Sequence, residues 1–359
     1  MVAKIKIFSV IGTRPDIIKM SPLIELLNHS PRFIHKTIFT SQHKDLGKKK
    51  LHEFNLSPEY IINIKNYNMT ITNLISYLTK EIDLILLKEQ PDYLLVHGDT
   101  ITALSATLNK FGKKCKIIHI EAGLRTHNIN FPYPEEYIRS MIARVASHHF
   151  APTRQAKQNL IDENIKENIY VVGNTIADMV KKYNKKRVKK SNQKNIFITS
   201  HRREHWDSLP STLLSLIQNI SKTNKDIKFT ILKHPNPKFK QYYNKLKLLQ
   251  NVEVIEDIPY KEMMTILRTS NVIVSDSCGI QEEANILGKP ILIPRNETER
   301  PEGVENASGK IVTINLSRIK KELRILLNSW YKRKKMQIKS TYLGDGTSSK
   351  QIFDILEKL

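Results

Sequence analysis

Cysteine is almost missing from this chain: Cys115 and Cys278 are the only two in 359 residues. They lie far apart and make no metal-type pair, so neither a disulfide framework nor a zinc site is expected. No apolar run approaches the roughly 20 residues that cross a bilayer, so stable membrane insertion is excluded. The opening "MVAKIKIFSVIG" reads as a short buried strand with no cleavage region behind it, which predicts a cytoplasmic protein. The G-x-G-x-x-G spacing of dinucleotide folds and the Walker loop are both absent. Acidic residues are also scarce, 35 against 58 Lys and Arg, for a formal charge of +23. Such an excess invites a nucleic-acid partner. Yet there are no aromatic-studded basic strands, no zinc spacing and no helix-turn-helix signature. The densest runs, "KKYNKKRVKKSNQK" from Lys181 and "YKRKKMQ" from Tyr331, read as solvated surface or linker. No nucleic-acid partner is expected.

What the chain does have is a rhythm of short apolar, β-branched runs alternating with helical segments. In the first half these are "KIKIFSVIG" from Lys4, "HKTIFT" from His35, "YLLVHGDT" from Tyr93, "KIIHIEAG" from Lys116, "HHFAPT" from His148 and "IYVVGNT" from Ile169. In the second they are "NIFITSHRRE" from Asn195, "KFTILKHP" from Lys228, "VEVIEDI" from Val252, "NVIVSDSCG" from Asn271, "PILIPR" from Pro290 and "GKIVTI" from Gly309. Continuous apolar runs with intervening helices indicate parallel strands covered on both faces. Six per half predicts an α/β chain of two Rossmann-like domains. The expected division is 1–175, joined by a terminal helix 345–359, and 176–344.

Ligands of such sheets bind at the carboxyl ends of the strands. The unusual polar clusters "GTRPD", "HGDT", "EAGLRT", "SHRRE", "HPNP" and "SDSCG" all follow apolar runs. They are expected to meet in one interdomain active-site cleft. In "SDSCGIQEEA" a strand gives way to a helix whose N–H groups and dipole make an anion site. There Ser277 adds a hydroxyl, Gly279 permits close approach and Glu283 can accept from sugar hydroxyls, which suits a nucleotide diphosphate. An N-capped helix with acids offsetting the dipole would look the same. In "GTRPDIIKM", Arg14 offers a planar fork for phosphate, and Lys19 lies one turn beyond Pro15 on the same helix face.

Asp99 and Glu121 end neighbouring strands, Glu135 and Glu136 open a helix after two prolines, and His201 ends the first strand of the second half. Carboxylates with a histidine suit acid–base work on a phosphorylated substrate. Taken singly, such acids could instead cap loops or pair with Arg125, Arg202 or Arg203. His234 in "HPNP" could face a ligand or serve a rigid turn. His97 and His119 read as residues satisfied within the sheet. His148 and His149 lack spaced partners, so no metal is assigned.

"GTRPDIIKMSPL", "HGDT", "HIEAGLRT", "PEE", "FAPT", "VVGNTIAD", "HRRE", "HPNP", "SDSCGIQEEANILGKP" and "TERPEGVE" occur in one order. Together they resemble the non-hydrolysing UDP-N-acetylglucosamine 2-epimerases, from about Ile5 to the terminal "GDGTSSKQI". The resemblance implies the GT-B fold and an isomerase that interconverts UDP-GlcNAc and UDP-ManNAc. The implied route eliminates UDP to a 2-acetamidoglucal and re-adds it, with no redox or metal cofactor, supplying activated sugar for cell-surface polysaccharide. It implies Asp99, Glu121, Glu135 and His201 as the acid–base group. It places Arg14, Lys19, His234, Ser277, Gly279, Glu283 and Arg300 at the nucleotide, with loop closure bringing Arg300 to the phosphates. A homodimer, and an allosteric site at Gln42 and His43, are implied as well. The hydrolysing branch, which releases ManNAc and UDP, and a non-catalytic sugar-nucleotide sensor are the alternatives. Departures from the pattern are Asp16 for Glu, His127-Asn128 for Gly-Asp, Ile138 for Asn, Cys278 for a second glycine, and Met263 where an aromatic often covers uracil.

Overall fold

The first-half runs become β1 (Ile5–Ile11), β2 (Phe33–Phe39), β4 (Tyr93–His97), β5 (Lys116–Ile120), β6 (His148–Ala151) and β7 (Ile169–Val171). A short extra strand, β3 (Tyr60–Ile61), makes the sheet seven-stranded rather than six, in the order β3-β2-β1-β4-β5-β6-β7. The second-half runs become β8 (Lys194–Thr199), β9 (Ile227–Leu232), β10 (Val252–Ile255), β11 (Val272–Ser275), β12 (Ile291–Ile293) and β13 (Gly309–Ile311). They pair in the order β10-β9-β8-β11-β12-β13. Every pairing in both sheets is parallel. This computed structural model describes residues 4–42, 44–64, 67, 69–110, 114–184, 193–200, 207–234, 236, 239–305 and 308–359, with 44–46 as backbone alone.

One unit comprises Met1–Met179 with Leu343–Leu359, the other Val180–Tyr342. In the first sheet, alternate residues of one strand enter opposite cores. Ile7 and Ile11 join Ile17, Met20, Leu95 and Phe150 on one face, while Phe8 and Val10 join Leu78, Ile82, Leu94 and Val96 on the other. Burial on both faces is why these strands read as unbroken apolar runs. The helix Ser348–Leu356 completes the first core with Ile352, Phe353 and Leu356, and Phe353 meets Phe33 edge-on at 5.7 Å. Asp178 accepts the Ser348 and Ser349 N–H groups at 3.1 and 3.0 Å, capping that helix. In the second unit one face of the sheet packs Ile196, Phe229 and Val274 against helices Leu209–Thr223 and Leu316–Asn328.

Strand order reverses between β1 and β4 in the first sheet, and between β8 and β11 in the second. Those switch points are where an open parallel sheet offers a crevice at its carboxyl edge. Among the described residues, no helix is long and apolar enough to cross a membrane.

Candidate active site

The turn after β1 is set by close packing. A Cβ on Gly12 would lie 2.1 Å from Thr102 Oγ1 and 2.4 Å from Thr40 Oγ1, so only glycine fits there. Thr13 then caps the helix Arg14–His29, accepting the Asp16 N–H at 3.4 Å. Asp16 reciprocates, its Oδ2 accepting the N–H groups of Thr13 at 3.0 Å and Gly12 at 3.2 Å. This is a capping box with aspartate as the returning acid. Pro15 sits in the first turn, where a missing N–H leaves no bond unmade. Arg14 is half-buried at the tip.

Around the switch point the polar side chains interlock. Asp16 Oδ1 accepts from Nδ1 of His97, the last residue of β4, at 3.1 Å. His97 Nε2 lies 3.7 Å from Glu121 Oε2. Glu121, immediately after β5, has a φ of 64°, which turns its carboxylate back over the sheet edge. Its Oε1 pairs with Lys19 and accepts Asn174 Nδ2 at 2.5 Å. Lys19, expected at the nucleotide, is thus buried against a carboxylate in this structure. His119 donates its Nε2–H to Gly98 O, 2.7 Å away, and burial lowers its pKa to about 3, so the ring is neutral.

Asp99 ends the neighbouring loop on the same rim and pairs with Arg139. Arg139 also holds Glu136 at 3.0 Å, and Glu136 Oε1 accepts the Thr126 and His127 N–H groups at 3.0 and 3.2 Å. Glu136 therefore fixes the loop after β5, while Glu135 is half-buried at the start of the helix Glu135–Val145. Arg125 takes none of these acids; it grips Glu163 bidentately at 2.6 and 2.8 Å. Gln42 Oε1 accepts the Thr102 hydroxyl at 3.1 Å. His43, His201, Arg202 and Arg203 lie outside the described residues.

In the second unit, Ser277 begins the helix Cys278–Leu287 without using its hydroxyl as a cap. Among the described residues, a Cβ on Gly279 would meet nothing within 4 Å. Ser200, after β8, donates to Asp276 at 3.3 Å, tying together the two strands at the switch point. Glu283 is buried. Arg300 is buried too, paired with Glu282 and, at 2.9 Å, with Glu299. The guanidinium expected at phosphates is held by carboxylates in this structure. His234 Nδ1 accepts the Asn236 N–H at 3.0 Å, so with Nδ1 as acceptor the ring's proton sits on Nε2.

The family model for UDP-N-acetylglucosamine 2-epimerase matches residues 25–357. The UDP-N-acetylglucosamine 2-epimerase of Salmonella borreze is 35% identical over 372 residues, covering 99% of this chain and 98% of its own. The chain belongs to the UDP-N-acetylglucosamine 2-epimerase family. It is an enzyme of the isomerase class. The crystal structure of the Neisseria meningitidis UDP-GlcNAc 2-epimerase, bound to UDP-GlcNAc, superposes with a TM-score of 0.92 at 34% identity, covering 99% of this chain and 100% of that one. The Methanocaldococcus jannaschii UDP-GlcNAc 2-epimerase, in complex with UDP-GlcNAc and UDP, gives 0.86 at 33% identity, covering 99% and 100%. The two Rossmann-like parallel sheets are those of the GT-B class.

Within this epimerase fold the sequence departures have physical accounts. The Cys278 sulfur donates to Glu299 Oε1 at 2.8 Å and accepts from Arg295 Nη1 at 3.3 Å, so it is absorbed into a buried ion-pair network. His127 holds a φ of 59°, a left-handed conformation that glycine adopts without strain. Met263 is 1% exposed and belongs to the core of the second unit. Ile138 likewise packs with Phe8 and Val10 on the other face of the first sheet. Sequence reading passed over Asp16, His97, Asn174 and Arg139 as site residues. The signal available for His97 and Asn174 was their place at the carboxyl ends of "YLLVH" and "IYVVGN".

Proposed function

We propose that this epimerase interconverts UDP-GlcNAc and UDP-ManNAc by inverting C2 of the sugar, through elimination of UDP to 2-acetamidoglucal and re-addition to the opposite face. The observation that carries the reading is the set of carboxylates on one rim: Glu121 held by Lys19 and Asn174 beside His97, with Asp99 at the end of the adjoining strand. The C2 proton is weakly acidic, so departure of the diphosphate must help its removal. Asp99, Glu121, Glu135 and His201 form the acid–base group. Arg14, Lys19, His234, Ser277, Gly279, Glu283 and Arg300 serve the nucleotide. N–H groups at the helix tip by Gly279 suit the charge that develops on the leaving diphosphate. In this scheme Lys19 and Arg300 exchange their carboxylate partners for phosphate when substrate binds. The enzyme works in the cytoplasm as a homodimer, its product feeds cell-surface polysaccharide, and UDP-GlcNAc activates it at a second site that includes Gln42 and His43.

The deciding experiment is incubation with UDP-GlcNAc in heavy water, following C2 by NMR. Deuterium at C2 in both UDP-sugars is the expected result. Accumulation of free ManNAc and UDP would place the chain in the hydrolysing branch. Tight binding without exchange would make it a sensor. Light scattering tests the homodimer.

A further inference from the structure

We infer that Asp16 and His97 are positioning residues that set the proton on Glu121. The inference rests on the epimerase reading above and deepens it. Asp16 is 1% exposed and His97 3% exposed, so both side chains lie inside the first unit. A helix cap needs only one Asp16 oxygen, and Oδ2 meets that need through Gly12 and Thr13. The other oxygen is directed at His97 Nδ1, which must donate because a carboxylate accepts. In the neutral ring Nε2 is then a bare lone pair. That nitrogen is buried, has no hydrogen-bond partner among the described residues, and lies 3.7 Å from Glu121 Oε2. Two lone pairs facing each other in a buried site repel. The approach becomes favourable when a proton is shared, as imidazolium with carboxylate or as imidazole with carboxylic acid.

Those two forms hold the same protons and differ only in which atom bears the shared one. When Glu121 Oε2 gives its proton to His97 Nε2, Glu121 becomes an anion able to accept hydrogen from carbon, and the imidazolium is held by Asp16. When the proton returns, Glu121 is an acid able to donate. Among the described residues, the helix Arg14–His29 brings Asp16 and Lys19 to the pair, β5 the neutral His119, and the loop after β7 Asn174. Asp99, two residues beyond His97, is engaged by Arg139.

The test uses Asp16→Asn, Asp16→Glu and His97→Asn in the full-length chain, with kcat, KM for UDP-GlcNAc and the kcat–pH profile. In Asp16→Asn the amide oxygen keeps the cap, and its NH2 group faces Nδ1. The ring must then carry its proton on Nε2, which fixes Glu121 as an acceptor and prevents the exchange. For Asp16→Asn we expect kcat to fall about 100-fold with KM within about 2-fold, and one limb of the pH profile to shift. Asp16→Glu, the family's usual residue, is expected to recover at least about 10-fold of that loss. His97→Asn, with no proton carrier, is expected to match or exceed the Asp16→Asn loss while UDP binding, read by calorimetry, is retained. If His97→Asn fails to fold, the two Asp16 variants decide alone. An unshifted pH profile in Asp16→Asn overturns the inference. Wild-type protein that incorporates no deuterium at C2 would instead sink the epimerase reading itself.

Discussion

At the scale of single residues, the rim of the first sheet shows how far position alone can be read. Asp99 and Glu121 are legible because each follows an apolar run, and strand ends carry ligands. Their partners are not legible. Lys19 and Glu121 are 102 residues apart in sequence, and nothing local announces that they touch. His97 was hidden for another reason, since a histidine within an apolar strand is ordinarily a satisfied sheet residue. Cys278 makes a sharper case. As a departure from glycine it reads as crowding of the diphosphate turn, yet its sulfur is engaged by Glu299 and Arg295. Cys278→Ala should therefore cost about 1 kcal/mol of stability through the lost hydrogen bond. UDP affinity should stay within about 2-fold. Urea unfolding and calorimetry measure the two quantities, and a large affinity loss with unchanged stability would contradict the geometry. Gly12→Ala should cost about 1–3 kcal/mol by overpacking. The Gly12→Ala/Thr102→Ala pair should recover part of that loss, because Thr102 supplies the nearest clash.

At the scale of elements, twelve strands are legible as short apolar runs, most sharply where both faces are buried, as in β4 and β12. Tyr60–Ile61 is not, since two residues carry no period. The strands also bring together groups whose joint behaviour only pairing reveals. His119 of β5 stands in register with His149 of β6. Burial lowers the first to about 3 and the second to about 4, from an ordinary 6.5. The unfolded chain binds these protons as pH falls through 6.5 while the folded sheet does not. Their contribution is thus complete above that pH and is lost progressively below it. Each histidine adds at most about 1.4 kcal/mol of lost stability per pH unit. Urea midpoints measured from pH 7 to 5, above the range where ordinary carboxylates titrate, should fall steadily. A flat profile would contradict the buried, neutral state of the pair.

At the scale of the whole molecule, the first unit is built from both ends of the chain. Ile352, Phe353 and Leu356 fill its core, and Asp178 receives the two N–H groups that start the closing helix. Phe353→Ala should destabilise that unit by about 3–5 kcal/mol. Native-state hydrogen exchange should show faster opening of β1 and β2 with little change in β11 and β12. Equal acceleration in both sheets would mean the units unfold as one. The net charge of +23 acts at this scale also, through a surface whose attraction to polyanions salt screens.

That closing helix has a temporal meaning. A ribosome delivers Val180–Tyr342 before it delivers Leu343–Leu359, so the lobe begun first during translation is the one finished last. Until Ser348–Leu356 leaves the exit tunnel, the sheet bearing Asp99 and Glu121 lacks part of its hydrophobic cover, and a nascent chain stalled short of that helix should be a substrate for chaperones.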